Sequence, residues 1–130
     1  MIVADASALL ELLLNTPAAP EIRRRLFAEG ETIHAPHLID LEILQALRRY
    51  ARTGEMGSLR VEQARRVYAD MRLRRYPHRI FSQRIWELRH NFTAYDAAYI
   101  ALAEALDAPL VTRDRALATS GHQARIFLVE

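Results

Sequence analysis

Short apolar runs alternate with longer segments of mixed polarity along the whole chain. Runs of three or four apolar residues are typical of strands that are buried on both faces, as the strands of parallel sheets are. Strands that alternate with helices favour a parallel sheet with helices on both faces, and the right-handed crossover rule limits its topology. The pattern predicts five strands, at Ile2–Ala4, Thr32–Ala35, His78–Phe81, Pro109–Val111 and Ile126–Val129.

Helical periodicity and the placement of Gly and Pro predict six helices between these strands. Ser7 is expected to cap the first helix, and Gly30 is expected to close the second. The third and fourth helices are expected to form a hairpin across Gly54–Gly57. The predicted helices begin and end at about Ser7–Leu14, Pro20–Ala28, Pro36–Thr53, Ser58–Arg74, Gln83–His90 and Tyr95–Leu106.

Length and composition indicate a compact globular protein. The chain has 130 residues, 51% hydrophobic and 26% charged, and we expect one domain over residues 1–130. Asp5 and Glu11 interrupt the apolar start, which therefore fits neither a signal peptide nor a membrane span. We expect a cytoplasmic protein that does not insert into a membrane.

The charged residues exclude several kinds of chemistry. All 18 basic residues are Arg, so a Schiff base, a Walker A lysine and the lysine of receiver-type acidic sites are excluded. The absence of Cys excludes a thiol nucleophile and cysteine-bound zinc. The net charge is only +2, but nine Arg lie between Arg48 and Arg75. Both a solvated helical surface and a phosphate-binding surface fit this arginine-rich stretch.

Four acidic residues far apart in the chain are expected to meet at one edge of the sheet: Asp5, Glu42, Asp96 and Asp114. Asp5 and Asp114 directly follow predicted strands, and open α/β sheets bind ligands at the carboxyl ends of their strands. Carboxylates that gather without a cation repel one another. Hard divalent cations such as Mg²⁺ and Mn²⁺ prefer oxygen ligands, so the sequence predicts a metal-dependent hydrolase or phosphoryl-transfer site.

Each of these acids also has an ordinary structural explanation. Asp5 and Asp96 lie at helix starts, where a carboxylate caps the helix or stabilises its dipole. If Ser7 caps the first helix instead, Asp5 is left to face a ligand. Asp114 fits a loop or the start of a helix.

Helix geometry separates Glu42 from its neighbour Asp40. Two positions apart on a helix differ by about 200°, so only one of these carboxylates faces the site. The other is expected to stabilise the helix dipole or to form a salt bridge.

Histidines and aromatic residues near these segments are interpreted as structural. His34 and His37 have no motif spacing to another His. Trp86, Phe92 and Tyr95 are expected in the core rather than as platforms for stacked bases, because no single-strand-binding motif surrounds them.

Four segments together resemble the motifs of PIN-domain ribonucleases, and more narrowly those of VapC-type toxins of bacterial type II toxin–antitoxin systems. The resemblance runs nearly end to end. It implies a three-layer α/β/α fold with a central, mostly parallel sheet and a protruding helical hairpin. The segments are Val3–Ser7, Ala35–Pro36 leading to Glu42 and Ala46–Arg49, Thr93–Tyr99, and Pro109–Asp114.

The resemblance also implies an activity and partners. The activity is Mg²⁺- or Mn²⁺-dependent cleavage of RNA that leaves a 5′-phosphate and a 3′-hydroxyl. The partners are a VapB-like antitoxin and a second copy in a homodimer, which assembles further with the antitoxin on operator DNA. Two other hypotheses stay open: a catalytically silent module that binds RNA or protein, and a PIN nuclease of RNA or DNA processing that is not a toxin.

Site residues follow from the same resemblance, position by position. The metal-binding catalytic acids are Asp5, Glu42, Asp96 and Asp114, which selects Glu42 over Asp40. Ser7, Thr112 and Asn91 match supporting polar positions, and Arg89, Arg48 and Arg49 are candidates for contact with RNA.

Overall fold

Five parallel strands form one central sheet in the computed structural model, which describes residues 1–130. The strands are β1 (Ile2–Ala4), β2 (Ile33–Pro36), β3 (Leu73–Tyr76), β4 (Leu110–Thr112) and β5 (Ile126–Leu128), in the order β3-β2-β1-β4-β5. Strands β1, β2 and β4 are buried throughout, as their uninterrupted apolar runs predict. The chain moves outward from β1 in one direction and then returns to β4 on its other side, so the strand order reverses between β1 and β4. This reversal is the place where open α/β sheets bind ligands.

Six helices cover the sheet. They are α1 (Ala6–Leu13), α2 (Ala19–Leu26), α3 (Ile39–Thr53), α4 (Ser58–Asp70), α5 (Ser82–Glu87) and α6 (Ala94–Leu106). Helices α1 to α4 pack on one another, whereas α6 packs on β1, β2 and β4 and is covered by α5. With right-handed crossovers these two groups lie on opposite faces, which confirms the three-layer α/β/α prediction. No helix is both long enough and apolar enough to cross a membrane.

Helix α6 is the most enclosed element. Residues Ala97–Ala103 are all buried, and thirty buried residues in total form one continuous core. Thr93 begins the helix, since its hydroxyl accepts a hydrogen bond from the backbone N–H of Asp96. The prediction of a helix over Tyr95–Leu106 is therefore confirmed, and the cap fixes where Asp96 lies relative to the sheet.

The third strand is not where the sequence pattern placed it. The prediction of a strand at His78–Phe81 is wrong, because Arg79–Phe81 forms a 3₁₀ turn. The actual strand, β3, pairs with β2 at the edge of the sheet, where its two central residues, Arg74 and Arg75, are exposed. An edge strand needs no continuous apolar run, so it was concealed at the end of the α4 pattern.

Helix α4 accordingly ends earlier than predicted. It stops at Asp70, and Met71 adopts an extended backbone that leads into β3. The hairpin of α3 and α4 is confirmed, with Gly54 in the left-handed conformation that closes α3. Arg72, Arg74 and Arg75 therefore belong to the edge of the sheet rather than to the hairpin.

Helix α3 receives its cap from a distant residue. No side chain next to its first turn accepts a hydrogen bond from it, but the Leu38 backbone N–H donates to His78 Nε2 at 2.9 Å. The 3₁₀ turn at Arg79–Phe81 directly follows His78. The start of α3, which carries Glu42, is thus held by the segment that links β3 to α5.

A half-buried ion pair ties α5 to α6 and generates a stability prediction. Arg84 donates two hydrogen bonds to the Glu104 carboxylate, at 2.7 and 2.9 Å, and the Gln123 backbone N–H donates a third at 2.8 Å. The Arg84 guanidinium holds the pKa of Glu104 below its ordinary value of 4.5. A carboxyl whose pKa is lowered by folding contributes stability above its unfolded pKa, and this contribution is lost as the pH falls through the folded pKa.

We expect Glu104→Gln to lower the free energy of unfolding at pH 7 by about 1–2 kcal/mol, as loss of a charged hydrogen-bonded pair does. The difference from wild type should shrink as the pH falls below 4.5. Urea denaturation of both proteins from pH 7 down to about pH 3 measures this. The control is Glu62→Gln, which removes an exposed ion pair to Arg65 and should leave the unfolding curve unchanged. An equal loss at both ends of the pH range would contradict the prediction.

Candidate functional site

Asp5 lies at the carboxyl end of the central strand β1 and is buried. Its Oδ1 accepts hydrogen bonds from the Ala8 backbone N–H at 3.0 Å and from the Ser7 hydroxyl at 2.7 Å. Asp5 is therefore the N-cap of α1, and the prediction that Ser7 caps this helix is wrong. Asp5 has the extended backbone of a cap residue, whereas Ser7 already lies within the first turn. The capping role does not remove Asp5 from the site, because its second oxygen is turned toward β4.

Two hydroxyl groups join the ends of β1 and β4. Thr112 Oγ1 donates to Asp5 Oδ2 at 2.5 Å and accepts from the Asp114 backbone N–H at 2.9 Å. Ser7 Oγ accepts from the Arg113 backbone N–H at 2.9 Å. Both residues thus support the acids, as the sequence predicts, and together they fix the Asp5 carboxylate relative to the backbone of Asp114.

Asp114 is the most exposed of the four acids. Its Oδ1 accepts a hydrogen bond from the Ala116 backbone N–H at 2.9 Å and so caps the 3₁₀ turn Arg115–Ala118. The Arg113 side chain points elsewhere, donating to Glu11 and to the backbone oxygens of the last two residues. No guanidinium therefore neutralises Asp114.

The two carboxylates near the start of α3 have different partners. Asp40 accepts hydrogen bonds from Tyr68 and Arg75, which confirms the prediction of a salt bridge. Glu42 is half-buried on another face of the helix, and its Oε1 accepts from the Tyr99 hydroxyl at 2.6 Å. The charges of Asp5 and Asp96 act on the pKa of Glu42 but are not among the causes of the shift at Asp40.

The charges of neighbouring acids raise the pKa values of three of these residues. Burial raises the pKa of Asp5, hydrogen bonds from Ser7 and Thr112 oppose this only in part, and the charge of Asp114 raises it further. Burial and Asp114 likewise raise the pKa of Asp96, against the opposing effect of the Thr93 hydroxyl.

Glu42 is the third acid whose pKa is raised. Burial raises its pKa, and so do the charges of Asp5 and Asp96, while the Tyr99 hydroxyl opposes the shift. Asp5, Glu42 and Asp96 are therefore each influenced by another acid of the set, although the four residues lie at the end of β1, on α3, on α6 and after β4. The convergence of Asp5, Glu42, Asp96 and Asp114 on a common cation stays a prediction.

The site contains no protein cation to offset this repulsion. None of the four acids forms an ion pair, although most other acidic side chains do, as Glu11 does with Arg113 and Asp40 with Arg75. The chain has 18 Arg, yet none of them pairs with these four acids. A group of half-buried carboxylates without a counter-ion suits a divalent cation.

The acids do not form a preassembled set of metal ligands. No three Asp, Glu or His side chains lie close enough together to surround one ion. Mg²⁺ usually keeps several water ligands and binds through only one or two carboxylates. The oxygen-only chemistry of the site therefore fits such an ion, held partly through water.

The side chains of the other predicted residues form no hydrogen bond with the four acids. Asn91 is exposed and its amide packs against Gly121, without a hydrogen bond to any of the four acids. The prediction that Trp86 and Tyr95 are core residues is wrong, since they are 67% and 68% exposed, whereas Phe92 is buried as predicted. Both exposed rings line a groove of about 540 Å³ beside the start of α6.

The three candidate arginines for RNA contact lie on two surfaces. Arg89 stacks on Trp86 at 4.5 Å and lines the same groove. Arg48 and Arg49 are exposed on α3, one to two turns beyond Glu42. A shallower groove of about 330 Å³ contains both Glu42 and Arg49.

Tyr99 is a site residue that the sequence pattern did not reveal. It is buried within an almost wholly apolar helix, whose pattern predicts core residues and no site residue at this position. One signal was available, because a buried Tyr hydroxyl needs a hydrogen-bond partner, and Tyr99 lies one turn after Asp96.

Comparisons with known proteins identify the family of this chain. The family model for the PIN domain matches residues 2–121. VapC ribonuclease Mb0985 of Mycobacterium bovis is 46% identical over 121 residues, which cover 93% of this chain and 91% of that protein. Ribonuclease VapC12 of Mycobacterium tuberculosis is 44% identical over 134 residues, which cover 99% of each chain.

A solved structure shares the fold at low identity. The crystal structure of VapBC2 from Rickettsia felis bound to a DNA fragment from their promoter aligns over 100% of both chains, with a TM-score of 0.73 and 14% identity. This likeness supports the three-layer fold alone. The family match and the close relatives carry the assignment: the chain belongs to the PIN-domain family and, within it, to the VapC ribonucleases.

Proposed function

We propose that this protein is a divalent-metal-dependent endoribonuclease that acts as the toxin of a VapBC-type toxin–antitoxin pair. One observation supports the catalytic part: at the reversal point of the sheet, the charges of neighbouring acids raise the pKa values of Asp5, Glu42 and Asp96, and no arginine pairs with these acids or with Asp114. The relatives named as VapC ribonucleases, at 44–46% identity, supply the substrate class. Because RNA is the proposed substrate, we propose that the protein acts in the cytoplasm.

Asp5, Glu42, Asp96 and Asp114 are the residues that would hold Mg²⁺ or Mn²⁺. A bound divalent cation activates water for attack on the phosphodiester and offsets the charge that develops on the phosphate. The protein supplies fixed oxygen atoms for this purpose. Three hydrogen bonds hold Asp5 in one orientation, so this carboxylate does not reorganise when a cation enters.

Arginines beside the acids are proposed to bind the RNA backbone. On α3, Glu42, Gln45 and Arg49 line one groove with Tyr95, and Arg48 and Arg52 lie in the adjoining one. Guanidinium groups bind phosphate oxygens in pairs, and their place next to the acids suits the phosphates that flank a cleaved bond. Arg89 offers a further contact on the side of Trp86.

The proposed protein partners are a second copy and a VapB-like antitoxin. An exposed apolar surface surrounds the groove of about 540 Å³, where Leu41, Trp86 and Tyr95 are largely exposed. Such surfaces mark protein–protein contacts, and we propose that this one forms the homodimer interface. The similar structure in which VapBC2 binds promoter DNA supports an antitoxin, and assembly with it on operator DNA.

Loss of one acid is expected to abolish cleavage. Asp96→Asn and Asp5→Asn should each lower the rate of RNA cleavage by at least about 100-fold, because each removes a charged oxygen from the site. Initial rates on a mixed RNA pool with Mg²⁺ or Mn²⁺ measure this, and mapping of the 5′ ends identifies the cut positions.

The matched control for this experiment is Asp107→Asn, at the exposed carboxyl end of the same helix, which should cleave as wild type does. Cleavage by a folded Asp96→Asn protein at the wild-type rate would refute the catalytic assignment. Induction in a bacterial host tests the toxin role, since wild type should arrest growth and Asp5→Ala should not. A silent binding module would show neither cleavage nor arrest.

Charge repulsion among the acids should be visible without RNA. We expect Asp96→Asn to raise the Tm of the metal-free protein by about 2–5 °C, because it removes one of the repelling charges. Millimolar Mg²⁺ or Mn²⁺ should raise the Tm of wild type, and this rise should be much smaller in the variant. Thermal denaturation with and without metal measures both effects. If Asp96→Asn and Asp107→Asn respond to metal equally, Asp96 is not a ligand.

Arg49→Gln should weaken RNA binding several-fold at low salt. If Arg49 contacts one phosphate, the slope of log K against log salt should fall by about 0.7. Binding is measured in the Asp96→Asn background, so that the RNA stays intact. Arg23→Gln on α2 is the control, because Arg23 is exposed, forms no ion pair and lies on another element. Equal slopes in the two variants would exclude a specific phosphate contact.

A further inference from the structure

Tyr99 makes a contact that joins two of the site elements. Its side chain is only 2% exposed, and its hydroxyl donates to Glu42 Oε1 at 2.6 Å. The two residues are 57 positions apart, on α6 and α3. Since Asp96 lies one turn before Tyr99 on α6, one rigid helix provides both an acid of the site and the group that holds another acid.

A second tyrosine on the same molecule shows what this contact would look like in a purely structural role. Tyr68 donates to Asp40 Oδ1, also at 2.6 Å, and Asp40 lies two positions before Glu42 on α3. Arg75 then engages both oxygens of Asp40, so this carboxylate is fully paired. The Tyr68–Asp40–Arg75 group is closed, because the Arg75 guanidinium offsets the Asp40 charge that would attract a cation.

The Tyr99–Glu42 pair, by contrast, includes no cationic side chain. Glu42 has no arginine partner, and only its Oε1 accepts a hydrogen bond, which leaves Oε2 free. Glutamate has three side-chain torsions, and repulsion from Asp5 and Asp96 would turn an unrestrained carboxylate away from them. The hydroxyl of Tyr99 prevents this, because it binds one oxygen from a buried and immobile position.

We propose that Tyr99 is a positioning residue of the nuclease site, which holds Glu42 through Oε1 so that Oε2 stays available to the cation. This inference rests on the proposed function. Some residues orient a metal ligand by a hydrogen bond without contacting the metal. Their removal typically weakens metal affinity by about 10- to 100-fold. Tyr99 acts on Glu42 and does not itself contact substrate or metal.

The test compares Tyr99→Phe with Tyr68→Phe, two variants that each remove one buried hydroxyl from a carboxylate of α3. Tyr99→Phe should weaken Mn²⁺ binding, measured by calorimetry without RNA, by about 10-fold or more. The Mn²⁺ concentration that gives half-maximal cleavage should rise equally, with a smaller loss of rate at saturating Mn²⁺. Tyr68→Phe should lower the Tm but leave Mn²⁺ affinity unchanged.

A double-mutant cycle isolates the effect of Tyr99 on Glu42. In a Glu42→Ala background, Tyr99→Phe should cause no further loss of Mn²⁺ affinity. If Tyr99→Phe folds poorly, Glu42→Asp serves instead, since it withdraws the carboxylate from Tyr99 by one methylene group and should raise the Mn²⁺ requirement similarly. Equal Mn²⁺ affinity in Tyr99→Phe and wild type overturns the role of Tyr99 and leaves the nuclease assignment standing. Absence of both Mn²⁺ binding and cleavage in wild type overturns both.

Discussion

Repulsion between carboxylates is the constraint around which the functional edge of this protein is built. The charges of neighbouring acids raise the pKa values of Asp5, Glu42 and Asp96, and none of these three acids or Asp114 has an arginine partner. The fold resists the repulsion with neutral donors: two hydroxyls and a backbone N–H on Asp5 and one phenol on Glu42. Neutral donors hold an acid in position without cancelling its charge, and that retained charge is what a cation requires.

The position of the acids depends equally on the sheet. Asp5 and Asp114 follow neighbouring parallel strands, so their backbones meet at one edge regardless of side-chain detail. Thr112 and Ser7 convert this proximity into a fixed arrangement by bonding across the two strand ends. The other two acids arrive from helix starts, where the sheet no longer dictates position. There the Thr93 cap and the distant His78 cap act instead.

The sequence predicted those features that depend on local pattern or on strand order. Buried strands β1, β2 and β4 have continuous apolar runs, and the acids that follow strands could be assigned to one edge from topology alone. Separation of Glu42 from Asp40 needed only the helical repeat and a family resemblance. Its physical reason, full pairing of Asp40 by Arg75, became visible only in the structure, because Arg75 lies 35 positions away on an edge strand.

Errors arose where tertiary contact decides the outcome. Strand β3 is half exposed and rich in arginine, so its period resembled the end of α4. Ser7 and Asp5 both have the chemistry of a cap, and the backbone conformation at Asp5 chose between them. Trp86 and Tyr95 are apolar enough for a core, but no element of this chain covers them. Tyr99 was concealed for the opposite reason, since its polar atom lies inside an apolar helix.

The order of the strands has a consequence for synthesis on the ribosome. Strand β1 is synthesised long before its neighbour β4, which has Thr112 and Asp114 at its end. An unfinished polypeptide therefore lacks both the hydroxyl that orients Asp5 and one of the four acids. The arrangement of Asp5, Thr112 and Asp114 is therefore completed only after β4 has emerged from the ribosome.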